Sequence, residues 1–123
     1  MKLAHLAMLL SLTIVLGCEN AEMQAIRSMP INHVDLAKVK DGDFLGAFSY
    51  GGFKYVVRTN VVDHKFVDII VLQNRKTHWA KRAEGVVKRI LDQQKNDVDA
   101  VSGATISSKA LLKAVERALA KGE

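Results

Sequence analysis

A cluster of hydroxyls and a glycine stand together in the run Asp99-Ala100-Val101-Ser102-Gly103-Ala104-Thr105-Ile106-Ser107-Ser108, immediately ahead of an amphipathic stretch. The start of a helix leaves backbone N–H groups unpaired and carries partial positive charge, so it attracts phosphate. Gly103 permits a tight or positive-φ turn. Ala104 adds little bulk, so a ligand can approach the main chain, and Thr105 presents a hydroxyl just ahead of the helix. Ser102, Ser107 and Ser108 can donate further hydrogen bonds to phosphate oxygens. Asp99 is the odd member, because a carboxylate repels phosphate unless a metal or a basic partner intervenes. From the residues alone the run stays open to two roles. It is either a phosphate site or an N-cap cluster introduced by a glycine turn, with Ser107 or Ser108 as the cap.

No other constellation offers chemistry of its own. His33, His64 and His78 lack a tight metal-ligand spacing, and the serines near Asp99 have no local histidine partner. No catalytic residue and no metal ligand is therefore assigned.

The elements that must position the run follow from its neighbours. Asp41-Gly42-Asp43 is a turn signal. Residues 44–50, 53–62 and 66–72 are strand candidates rich in aromatic and β-branched side chains, separated by Gly51-Gly52 and Asp63-His64-Lys65. Short connections predict an antiparallel meander. The period then changes: Trp79, Ala83, Val86, Val87, Ile90 and Leu91 recur at helical spacing, and the helix ends in the polar segment 92–97. A second helix follows the hydroxyl run, with Ala110, Leu111, Ala114, Val115, Ala118 and Leu119 on its apolar stripe. The expectation is an α+β domain, a small twisted, mainly antiparallel sheet with two principal helices packed on it.

The other end of the chain speaks of location. Met1 and Lys2 precede a mostly apolar stretch from Leu3 to Leu16, too short for a comfortable membrane span of roughly 20 residues. Residues 1–17 are predicted to be a signal peptide. Cys18, the only cysteine, follows Gly17, and its setting resembles the lipobox of bacterial lipoproteins, in which the cysteine is diacylated and becomes the new N-terminus. Residues 18–36, with the only proline at Pro30, read as a tether, and 37–123 as the folded domain. A flexible chain of the tether's length reaches on the order of 25 Å. The net charge of +5 suits an anionic surface or ligand. Without a dense Lys/Arg stripe and interleaved aromatics it does not indicate nucleic acid.

Asp99 to Thr105 resembles the flavinylation signature Asp-x-x-[Ser/Thr]-Gly-Ala-Thr of the bacterial FMN-binding domain family. Domains of this family occur in flavin-carrying components of the sodium-pumping NADH:quinone reductase and of the Rnf electron-transfer complex. The run from Lys40 to Gly46 is similar to the family's opening Asp-Gly-x-Tyr-x-Gly pattern, with Phe44 in the tyrosine position. The likeness covers roughly residues 37–121, with the elements in family order. It departs at the hairpin Asp63-His64-Lys65, where many relatives have Asp-Gly-Lys and where histidine enters the turn at greater backbone cost.

The resemblance implies FMN joined through its phosphate to Thr105 by a phosphoester bond. Ser102, Gly103, Ala104 and Ser107 would shape the phosphate's approach, and Asp99 would serve recognition by the modifying enzyme. That enzyme is an exported flavin transferase that takes FMN from FAD with magnesium. The ring then needs a flat apolar surface. Trp79 could stack on it or begin the buried helical stripe, and His78 could meet its polar edge or stay an exposed loop residue. Tyr50 and Lys109 carry similar choices, ring contact or strand packing for the first, phosphate screening or an exposed helix position for the second. The expected protein is a membrane-anchored, extracytoplasmic electron carrier between a membrane donor and another acceptor, lipidated at Cys18. It is expected to be a carrier module rather than a stand-alone enzyme. The alternatives are a lipoprotein that stores or presents flavin without a covalent bond, and a structural lipoprotein that kept the fold without flavin.

Overall fold

Three consecutive strands make one antiparallel sheet in the order β1-β2-β3: β1 (Gly42–Tyr50), β2 (Phe53–Val62) and β3 (Lys65–Gln73). The structure, a computed structural model, describes residues 21–123. The expected signal peptide and Cys18 lie outside the described residues. Three helices follow the sheet: α1 (His78–Ala83), α2 (Val86–Gln93) and α3 (Thr105–Ala120). The α+β expectation and the meander hold, with each predicted strand inside an observed one.

Both hairpins close through two residues of positive φ, the geometry that matches the right-handed twist of the strands. Gly51 and Gly52 supply it in the first, at φ of 56° and 79°. In the second, Asp63 and His64 adopt φ of 51° and 61°, which costs a side-chain-bearing residue energy. Two remote bonds hold that turn in place. The Asp63 N–H donates to Asp41 Oδ1 at 2.8 Å, and the His64 ring donates to the Leu36 carbonyl at 3.1 Å.

One face of the sheet is buried under α3. Phe48, Tyr55, Val57, Val61, Phe66 and Ile69 point inward and meet Leu111, Ala114, Val115, Ala118 and Leu119 in a single core. Each fully buried Leu or Val contributes about 1.5–3 kcal/mol. Gly46 sets how closely the layers approach: a Cβ there would lie 1.9 Å from the Ala114 carbonyl oxygen and 2.5 Å from the Ala118 nitrogen. The opposite sheet face leaves Leu45, Val62, Val67 and Leu72 about half exposed.

Two expectations change. The single helix predicted from Trp79 to Leu91 is two, broken at Glu84-Gly85. There the bonding tightens to i→i+3, with Gly85 N–H on the Arg82 carbonyl at 3.1 Å and Val87 N–H on the Glu84 carbonyl at 3.1 Å. Glycine is a poor helix residue, and such a tight turn is what remains when the ladder is interrupted. The described part of the expected tether is also not free chain. Residues 21–27 are helical, and Ile26 and Val34 are buried in the core with Met29, Ile31 and Leu36 packed against it.

α3 is buried on more than its sheet face, and the N-terminal strap is bonded along one of its other sides. Leu112 and Lys113 are buried as well. Lys109, Leu112, Lys113 and Glu116 share a side of the helix by their spacing, and along that side the strap is bonded. Lys109 Nζ donates to the Met29 carbonyl at 3.0 Å, and the Asn32 N–H donates to Glu116 Oε1 at 2.5 Å. Lys113 Nζ fixes that carboxylate from 2.9 and 3.0 Å.

Candidate functional site

Thr105 is the first residue of α3, and Ala104 precedes it as a cap without a side-chain hydrogen bond. Neither Ser107 nor Ser108 is the cap. Both lie inside the helix and are buried. The first-turn N–H groups of α3 therefore have no side chain of their own run to answer them. The residues that carry them line a pocket.

The turn ahead of them is held by basic side chains of the preceding helices. Arg89 donates to the Asp99 and Ala100 carbonyls, both at 2.9 Å, and Arg82 donates to the Ser102 carbonyl at 3.3 Å. The Ser108 hydroxyl accepts the Val101 N–H at 3.1 Å, and the Ala104 N–H closes a turn on the Val101 carbonyl at 3.0 Å. Gly103 sits at φ 79°, a conformation glycine enters without steric cost.

The pocket has a volume of about 470 Å³, within the range of small-molecule sites. Gly103, Ala104, Thr105 and Ser107 form one wall, and Tyr50, Arg75, Thr77 and Trp79 another. Trp79 is 55% exposed, so it is a pocket residue and not the start of a buried stripe. Tyr50 lies parallel to Tyr55 within 8°, their rings 6.4 Å apart. The Tyr55 hydroxyl is buried without a well-formed hydrogen bond, and so is Arg75 Nε. Burial pushes the Tyr55 phenol up from its ordinary pKa, while Ser107 and Arg75 beside it pull the other way. Arg75 also covers the Phe53 ring, 3.8 Å from its centre.

The structure thus brings Tyr50, Gly103, Ala104, Thr105, Ser107 and Trp79 together, and it leaves the other candidates outside. Ser102 and Asp99 are exposed and do not line the pocket; what each contributes there is its carbonyl. Lys109 bonds the strap. His78 stands edge-on to Trp79, 5.4 Å between centres, and lines a neighbouring cleft rather than this pocket. Among the described residues no group of His, Cys, Asp and Glu could hold a metal ion.

Sequence reasoning missed Met23, Arg27, Arg75 and Thr77. The last two sit in the polar stretch between β3 and α1, and Thr77 caps α1 by accepting the Ala80 N–H at 3.1 Å. That capping pattern was visible. Nothing in the spacing of Met23 and Arg27 pointed to the pocket.

The residues fit a phosphorylated aromatic cofactor. The first turn of α3 and two arginines, Arg27 and Arg75, line the pocket, no carboxylate does, and Trp79 and Tyr50 offer ring surfaces. Arg75, whose Nε is buried without a partner, is among the lining residues. The sequence pattern of the FMN-binding domain family matches residues 50–120, more than half of the chain. The chain belongs to the FMN-binding domain family. Comparison with curated proteins gave no match. The family match begins at Tyr50, so this FMN-binding domain includes Trp79, the hydroxyl run and all of α3 within it, while the opening pattern at 40–46 and the strap precede it.

Proposed function

We propose that the protein is a lipid-anchored, extracytoplasmic flavoprotein that carries FMN esterified to Thr105 and passes electrons between a membrane donor and a second acceptor. The observation that carries the proposal is the position of Thr105. Thr105 lines the pocket at the first turn of α3, within a run that matches the flavinylation signature residue for residue.

In the esterification, Thr105 Oγ1 forms a new bond to the flavin-bearing phosphorus of FAD as the pyrophosphate bond breaks. AMP departs and the hydroxyl proton passes to the transferase or to water. The diester keeps about one negative charge, which the first-turn N–H groups of α3 offset. Asp99, exposed beside the turn, is free to be read by the transferase. Bound FMN supplies one- and two-electron redox chemistry. The chain's part is to fix the phosphate end at Thr105 and to present Trp79 and Tyr50 to the ring.

The packed strap changes what a lipid on Cys18 would do. From Cys18 to Met23, with residues 21–23 helical, the chain can reach at most about 14 Å, and Met23 lines the pocket. The flavin would be held at the membrane face and not swung on a long tether, which suits a donor dissolved in the membrane.

Co-expression with a flavin transferase, followed by intact-mass measurement, tests the ester. The expected result is an FMN mass increment that survives denaturation and is absent from Thr105→Ala. Flavin that denaturation releases completely would instead favour a non-covalent flavin carrier.

A further inference from the structure

We propose that the strap is a built-in wall of the flavin site and that Arg27, which lies outside the family match, binds the phosphate end of FMN. The strap and α3 run parallel in matched steps. Asn32 is bonded at Glu116 and Met29 at Lys109. An extended chain covers about 10 Å from Asn32 to Met29, and the helix rises about 10 Å from Glu116 to Lys109. One further turn of α3, about 6 Å, reaches Thr105, and the next strap residues that line the pocket are Arg27 and Met23. These two are four apart in a helical segment, so they share one side. Ile26 beside them is buried and holds that segment down.

The strap's course is fixed by Asn96, Lys109 and Glu116. Asn96 is fully buried and mimics a strand partner, donating Nδ2 to the Asn32 carbonyl at 2.7 Å and accepting the Val34 N–H on Oδ1 at 2.8 Å. Lys109 and Glu116 secure it along α3. Arg27 is thereby delivered to the end of the pocket where Thr105 and the α3 N–H groups lie. Arg75 packs on the Phe53 ring and stands beside Tyr55, a part of the pocket wall that FMN and riboflavin would share. A planar guanidinium with a fork of donors suits phosphate oxygens, and no acidic residue lines the pocket to compete for it.

The inference rests on FMN occupying this pocket and not on the ester bond, so it is tested without the transferase. Unmodified protein is titrated with FMN and with riboflavin, which has the ring but no phosphate, following quenching of flavin fluorescence. Wild type should bind FMN more tightly than riboflavin. Arg27→Ala should weaken FMN about tenfold, the scale of one charge-assisted hydrogen bond, and leave riboflavin unchanged. Arg27→Lys should recover part of the loss. Arg75→Ala should weaken both ligands. Arg27 is exposed, so its replacement leaves the core intact, and an unchanged circular dichroism spectrum verifies that. Equal affinity of the wild type for the two ligands, no binding of FMN, or equal effects of Arg27→Ala on both ligands would overturn the proposal. A failure of Thr105 esterification would leave it standing.

Discussion

The hydroxyl run at 99–108 and the strap at 21–36 meet at one pocket and are built on opposite plans. The run is held from nearby in sequence: Arg82, Arg89 and Ser108 bond its carbonyls and N–H groups across separations of 7 to 20 residues. The strap is held from afar, with Asn96, Lys109 and Glu116 reaching it across 62 to 84 residues. Local clamps leave a local pattern of glycine, hydroxyls and helix onset. Distant clamps leave an irregular segment whose partners are polar residues that look like ordinary surface positions.

Both plans rest on the contact of α3 with β1, so breaking that contact should have the largest effect. Gly46→Ala places a methyl group against the Ala114 carbonyl, the Ala118 nitrogen and the Ala118 Cβ at 1.9, 2.5 and 2.8 Å. Backbone on both sides must move, and overpacking of that kind costs about 3 kcal/mol. The urea midpoint should fall sharply, and the run and the strap should lose hydrogen-exchange protection together. Loss confined to one of them would mean that they do not share a platform.

The next pair of substitutions separates the two regions. Asn96→Ala leaves the Asn32 carbonyl and the Val34 N–H without their buried partner, a loss of about 2 kcal/mol. Faster exchange should be confined to 29–36, with 99–108 unchanged. Arg89→Ala removes two bonds whose acceptors are partly open to water, so about 1 kcal/mol is expected. Here 99–102 should loosen while the strap keeps its protection, and flavin attachment at Thr105 should slow because the turn is less well formed. Crossed effects, with Asn96→Ala loosening the turn as much as the strap, would remove the distinction.

The same contrast explains what could be read in the sequence. Alternating apolar residues placed the strands, because a one-sided sheet writes its burial with period two. The hydroxyl run pointed to the pocket through its own chemistry, and it contained Thr105, Gly103, Ala104 and Ser107. The helix boundary at Glu84-Gly85 was obscured because Ala83, Val86 and Ile90 stay in phase across the tightened turn. Ser107 and Ser108 suggested a cap, yet tertiary packing drew both inside, one to the pocket and one to the Val101 N–H. Burial of Leu112 and Lys113 was hidden for another reason. The strap is bonded along that side of α3, and its hydrogen bonds join mostly its backbone to side chains of α3 and the loop before it, which leaves no periodic signal in 21–36.

The finest test of the strap's remote anchoring is pH. His33 Nδ1 lies 2.9 Å from Asp97 Oδ1, and this hydrogen bond is the main reason that the Asp97 carboxyl is held below its ordinary pKa. A carboxyl lowered by folding stabilises the native chain at pH above its unfolded pKa, about 4. The contribution is lost as pH falls through the lowered folded value. Both side chains are partly exposed, so it should amount to at most about 1 kcal/mol. Urea midpoints of wild type and Asp97→Asn should therefore differ slightly at neutral pH and converge below the folded pKa. A difference that stays constant through the acid range would assign the effect to packing of the asparagine amide. Convergence would show that a charge on one surface loop helps to hold the strap, and with it Arg27, against the pocket.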